Sequence, residues 1–248
     1  MKTRIFIILL SLSLYGCATT SSPEQAAAFA EKPMITDPFE PINRKVYSFN
    51  KGLDTILVKP IAEGYVAVVP PFARSRVEDF FANIEEISVF VNTVLQARFE
   101  DAGITAARFA INSTLGVLGL FDVAESWGMP EKQGDFGQTF YVWGVKRSVY
   151  LMLPVLGPTT GRETVGKVPG YLFSVWDFTP WEVQTAAFGL MAVDIRSQYL
   201  DQEEILNNAF DEYSLIRDIY IRQRETFLTG TEDVTDWDED LINEHEVY

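Results

Sequence analysis

The spacing of the apolar residues restricts this chain more than any other feature. From Ser75 onward Val77, Phe80, Phe81, Ile84, Ile87, Val91, Val94 and Leu95 recur at three- and four-residue steps. Glu78, Asp79, Glu85, Glu86, Asn92 and Gln96 fall largely on other faces of the same helix. Ser75-Arg76-Val77-Glu78 has capping-box spacing behind the breaker Pro70-Pro71, which sets the helix start at Ser75. The same period predicts helices over 41–53, 101–112, 183–200 and 203–227. Only residues 139–145 offer a strand candidate, and 152–170, with three prolines and four glycines, predicts a long loop or hairpin. The fold class is mainly α, in a single domain without internal repeats.

The chain's ends are different in kind. Lys2 and Arg4 precede an apolar run, Ile5 to Leu14, of about ten residues, against the roughly 20 that cross a bilayer. Residues 1–16 therefore predict a signal peptide. Leu14-Tyr15-Gly16-Cys17 resembles a bacterial lipobox, and Cys17, the chain's single cysteine, becomes the lipid anchor of the mature protein. Ala18, rather than Asp, after it points to the outer membrane, facing the periplasm. Residues 17–36 predict a lipidated tether, 37–228 the helical body, and 229–248 an acidic, disordered tail carrying eight acids and no Lys or Arg. The formal net charge of −15 argues against nucleic acid.

Composition also removes most chemistry. His245, the one histidine, lies in the charged tail, and no G-x-S-x-G elbow occurs, so no His-based triad is expected. Gly161-Arg162-Glu163-Thr164-Val165-Gly166-Lys167 fits a phosphate loop, but Val168 replaces the Ser or Thr such a loop needs. Pro169-Gly170 stand where its helix should begin, so the match is read as coincidence and no helix is expected there. Glu85-Glu86 and Asp135 could serve a glycosidase, yet adjacent helical acids diverge and mark a solvated face. No loop has calcium-ligand spacing. No enzyme activity, catalytic residue, metal or cofactor is expected.

Two features suggest a membrane. Ala102 to Phe121 is mainly apolar but is interrupted on one helical face by Arg108 and Asn112, and broken at Gly116 and Gly119. It predicts two short helices joined at the glycines, with a polar stripe that needs a partner or a water-filled path. Trp127, Trp143, Trp176 and Trp181 gather with many Phe and Tyr, as rings do at a membrane–water boundary or in a packed core.

Asp37-Pro38-Phe39-Glu40 followed by Asn43-Arg44-Lys45-Val46-Tyr47-Ser48-Phe49-Asn50 resembles the signature of the MlaA (VacJ) family of outer-membrane lipoproteins. Arg108 to Gly116, Gly119 to Ala124, Asp135 to Thr139 and Leu153 to Pro158 are similar to later elements of that family, in the family's order. The resemblance covers about Asp37 to Arg224. It implies a ring of amphipathic helices in the inner leaflet of the outer membrane, around a polar central channel. Such a protein takes mislocalised phospholipid from the outer leaflet and passes it to the periplasmic carrier MlaC, beside a trimeric outer-membrane porin. On that reading Asn43, Arg44, Tyr47, Phe49 and Asn50 shape the N-terminal helix and a channel gate, and Arg108 and Asn112 contribute to the polar path. Packing between helices is the plainer role for all seven. The rival function is a structural envelope lipoprotein, or porin-binding scaffold, that moves no lipid.

Overall fold

The computed structural model describes residues 33–172 and 179–230. Cys17, the leader, the tether up to residue 32, Trp176 and the tail from residue 231 lie outside them. From Met34 on, the described residues form one compact unit. Helices dominate it, with a three-stranded sheet in the order β1 (Ile35–Thr36), β2 (Ser148–Leu153), β3 (Gly157–Thr160). β1 runs parallel to β2, pairing Ile35 with Ser148, and β2 runs antiparallel to β3, pairing Tyr150 with Thr160 and Leu153 with Gly157.

The N-terminal helix is longer than the period predicted. α1 (Glu40–Leu53) begins with Pro41 in its first turn, where the missing N–H costs nothing, and Glu40 favours its positive end. It passes without a break through a π-helical turn, Asp54–Val58, into α2 (Lys59–Val68). The wide turn sits directly before Pro60, which has no N–H for the regular ladder. Arg196 pins it, donating to both carboxylate oxygens of Asp54 at 2.9 and 3.1 Å.

α3 (Pro71–Leu95) starts four residues earlier than the expected capping box. Pro71 supplies the helical φ at the first turn, and the Ser75 hydroxyl bonds back to the Phe72 carbonyl at 3.0 Å instead of capping. α4 (Phe99–Thr114) is antiparallel in its pairing to α3, and the expected second short helix does not follow it. Residues 115–121 form an irregular turn with positive φ at Val117, Leu118 and Gly119. At Gly119 (φ +88°) a Cβ would meet the Asn83 side chain at 2.5 Å, so only glycine fits.

α5 (Val123–Ser126) and α6 (Phe136–Val142) are each capped by an acid: Asp122 accepts from the Glu125 amide at 2.9 Å, Asp135 from the Gln138 amide at 2.6 Å. The strand expected at 139–145 is thus mostly helix, because Asp135 starts one just ahead of it. β2 and β3 form a hairpin over 148–160, which begins four residues before the 152–170 stretch expected to be a loop or hairpin. The expected loop after it is helix α7 (Gly161–Leu172). Thr160 and Glu163 cap it reciprocally, the Thr160 amide donating to Glu163 at 2.7 Å and the Glu163 amide to the Thr160 hydroxyl at 3.2 Å. That capping starts a helix which carries Pro169 inside it.

α8 (Trp181–Gln198) is close to prediction, but the helix expected over 203–227 is two. After a 3₁₀ turn, α9 (Glu203–Asn208) ends at extended Ala209, and Asp211 caps α10 (Glu212–Thr229), which stops at left-handed Gly230. The apolar core is small: Ile35, Tyr150, Met152 and Tyr213, with Val46, Tyr47 and Tyr220 against it.

Candidate functional site: an inward polar seam and an outward apolar belt

The fold reverses the usual distribution of polarity. Among the described residues, more polar and charged side chains than apolar ones are buried, Asn43, Asn83, Glu86, Asn92, Thr105, Arg108 and Asn112 among them. Large apolar side chains are exposed along nearly every helix, such as Phe49, Ile56, Phe72, Phe90, Leu95, Leu118 and Phe188. In a water-facing protein so much apolar surface would be costly. Trp127, Trp143 and Trp181 belong to the exposed set, Trp181 at 70%. No helix among the described residues is long and apolar enough to cross a membrane.

The polar seam lies between α3 and α4. Arg108, 1% exposed, donates Nε to Glu86 at 2.5 Å, one terminal nitrogen to the Met129 carbonyl at 2.6 Å and the other to Asp122 at 2.7 Å. Asn112, one turn on, donates to Asp122 at 3.0 Å and accepts from the Ala124 amide at 3.0 Å. Burial raises the Asp122 carboxyl, but the Glu125 amide, Arg108 and Asn112 outweigh it and hold its pKa below the ordinary value. At Glu86 burial wins over Arg108, and the pKa is raised. Glu86 therefore does not stand on a solvated face, as its sequence context suggested, whereas its neighbour Glu85 does reach solvent. Arg108 and Asn112 share this network, in which each is bonded to neighbouring protein.

The five residues of the N-terminal helix are distributed over three surroundings. Asn43, buried, donates to Asp37 at 2.7 Å and accepts from the Met152 amide at 3.0 Å. Asn50, two turns on, donates to the Leu153 carbonyl at 2.9 Å and accepts from the Val155 amide at 2.8 Å. Both therefore hold β2 and the hairpin tip against α1. Arg44 and Tyr47 instead border an open groove of about 460 Å³ against α9 and α10, with Lys51, Phe210 and Glu212. There Arg44 grips Asp211 through two bonds of 2.5 and 2.9 Å. That pairing raises the guanidinium pKa and drives the Asp211 carboxyl far below its ordinary range. Burial, then Glu212, raises the Tyr47 phenol. Phe49 is exposed.

Sequence reasoning missed Glu86 and Asp122 as the partners of Arg108, and Asp211 as the partner of Arg44. Asp122 was findable, since it has the position of a helix cap ahead of Glu125. The phosphate-loop glycines have another use: a Cβ on Gly166 would meet Phe136 Cβ at 2.9 Å, so Gly166 lets α7 approach α6. No group of His, Cys, Asp and Glu suited to a metal occurs among the described residues.

The sequence profile of the MlaA lipoprotein family matches residues 35–226. The chain is 31% identical to the intermembrane phospholipid transport system lipoprotein MlaA of Shigella flexneri, over 94% of this chain and 91% of that one. It is 30% identical to the protein of the same name in Escherichia coli K12, with the same coverage. An uncharacterized protein of Rickettsia felis is 33% identical over 77% of each chain. A solved structure from work on the structural basis for maintenance of bacterial outer membrane lipid asymmetry superposes with a TM-score of 0.71 at 28% identity, covering 78% of this chain and 99% of that one.

Proposed function

This chain belongs to the MlaA lipoprotein family, and we propose that it removes mislocalised phospholipid from the outer leaflet of the outer membrane and passes it to a periplasmic carrier. The inverted distribution of polarity carries the reading: apolar side chains outward, amides, hydroxyls and ion pairs inward. A phospholipid head crossing hydrocarbon meets a large barrier unless polar groups line its way. Amphipathic helices set as a ring in the inner leaflet, apolar faces to the acyl chains and polar faces to a central channel, lower that barrier. The names of the relatives, and the lipid-asymmetry work behind the similar structure, agree with this use.

Cys17 anchors the chain to the periplasmic face of the outer membrane, with MlaC as the receiving carrier and a trimeric porin as neighbour. Arg108 and Asn112 fix α3 and α4 so that polar groups face the path, while Asn43 and Asn50 set the hairpin against α1. Arg44, Tyr47 and Phe49 complete the gate region on its other sides. The test is the phospholipid content of the outer leaflet in cells lacking the protein and in cells given it back. Accumulation that the intact chain reverses, and the chain with Cys17→Ala does not, is the expected result. An unchanged outer leaflet with the protein still bound to porin would replace transport by the scaffold function.

A further inference from the structure

Among the described residues, Arg162 is the most deeply buried cation that meets no carboxylate. It is 4% exposed, whereas the other two buried arginines, Arg108 and Arg224, are each bonded to two acids. Its Nη1 donates to the Val145 carbonyl at 2.9 Å and to the Lys146 carbonyl at 3.4 Å, while its Nε and Nη2 have no partner. Nε and Nη2 form one edge of the planar guanidinium, the edge that takes two oxygens of an oxyanion side by side. The acids whose charge reaches Arg162, Glu163 and Asp135, are already bonded to Arg224 at 2.7 Å each. The first amides of α7 are also taken: that of Arg162 donates to the Ser148 hydroxyl at 3.0 Å, and that of Glu163 to Thr160. What stays open is a side-chain fork, and not the phosphate loop that the sequence pattern imitates.

A second cation stands beside it. Lys146 Nζ lies 3.7 Å from the centroid of the Tyr141 ring, and Arg162 Cζ lies 5.3 Å from the same centroid. Lys146 is exposed and meets no carboxylate among the described residues. The chain has 35 acids against 20 Lys and Arg, so two cations sharing one ring without an acid are out of keeping with it. They leave a place for an anion from outside.

The neighbours of this pair narrow the choice of anion. Lys146 belongs to the turn 142–147 between α6 and β2, every residue of which is exposed. Val142, Trp143 and Val145 are among its large exposed apolar side chains. An apolar turn carrying a tryptophan beside a cation has the composition of a membrane–water boundary, where phosphates stand above acyl chains. Free phosphate gains nothing from those side chains. We infer that Arg162 and Lys146 form a docking site for the phosphodiester of a phospholipid headgroup, with its acyl chains along Val142, Trp143 and Val145. The Arg162 nitrogens lie under protein, so the phosphate reaches them as the exposed turn moves aside. The site shares no residue with the Arg108 network, and it holds the turn at headgroup level whether or not the protein moves lipid.

Cys17 is the single cysteine, so the full chain with C17A and V142C takes one environment-sensitive dye, on the turn itself. Purified in a sugar-headed detergent, it is titrated with dihexanoylphosphatidylglycerol, with dihexanoylglycerol and with inorganic phosphate. The phospholipid is expected to shift the dye emission saturably, at concentrations about tenfold or more below either of the other two. K146Q raises the phospholipid's dissociation constant about threefold, the scale of one partly exposed ion pair. R162K keeps the charge, loses the fork and raises it about tenfold. Lys146 is exposed, so K146Q keeps the result readable if R162K does not fold. Equal dissociation constants for the two lipids overturn the inference, because the turn then reads acyl chains alone. Inorganic phosphate bound as tightly as phospholipid overturns the lipid assignment, and an affinity unchanged by K146Q overturns the site. No step of the titration involves transport, so these outcomes leave the transport reading standing.

Discussion

Arg108 is the residue on which the polar seam turns, because one guanidinium bonds Glu86, Asp122 and the Met129 carbonyl at once. Removing it strands two carboxylates in protein, so Arg108→Met is expected to destabilise the fold by about 3–5 kcal/mol, read by denaturant unfolding in detergent micelles. A loss below about 1 kcal/mol would mean that the seam is held by something else. The Arg44–Asp211 pair is more open to water and predicts a pH effect rather than a large stability loss. The folded pKa of Asp211 is depressed, so its stabilisation is present above the unfolded value of about 3.9 and fades as pH falls below it. Asp211→Asn should therefore lower the melting temperature at neutral pH and converge on the unmodified protein in acid. Arg108 and Asn112 were legible in the sequence because a charge and an amide interrupt an apolar stretch. Glu86 was not, since its partner lies 22 residues away and no local signal distinguishes a paired acid from a solvated one.

Among the elements, those with a strong 3.6 period were legible, and the discrepancies come from local chemistry that overrides period. Pro71 starts α3 ahead of the more obvious Ser75 box. Thr160 and Glu163 start α7 in a stretch whose glycines and prolines argue against a helix. That second capping box, Thr160-Gly161-Arg162-Glu163, overlaps the phosphate-loop pattern of Gly161–Lys167. The π-helical turn between α1 and α2 has no signature beyond Pro60. Two substitutions check the α6–α7 contact. Gly166→Ala drives a methyl to within 2.9 Å of Phe136 Cβ and 3.1 Å of the Gly137 nitrogen, and is expected to cost about 1–3 kcal/mol. Thr160→Ala removes the cap and a fully buried methyl, and costs about 1–2 kcal/mol. A Gly166→Ala loss below about 0.5 kcal/mol would show that close packing of α7 against α6 is not what Gly166 provides.

At the scale of the whole molecule, the small apolar core and the wide apolar exterior divide labour with the anchor. Cys17, on this reading, decides which membrane holds the protein, and the belt decides whether it sits in one at all. The two contributions separate experimentally in the full chain carrying Cys17→Ala. Each large apolar side chain taken from water into hydrocarbon contributes about 1.5–3 kcal/mol, so several exposed at once hold an unlipidated chain in a bilayer. The Cys17→Ala chain is thus expected to float with liposomes. Adding Ile56→Glu and Val68→Glu, 82% and 81% exposed and outside the Arg108 network, should lower the floated fraction by about tenfold or more per position. The same double substitution should leave the helical circular dichroism signal intact, since neither side chain is buried in the fold. If the substituted chain floats as well as its parent, the exposed apolar faces are not in contact with lipid, and a protein partner must cover them instead.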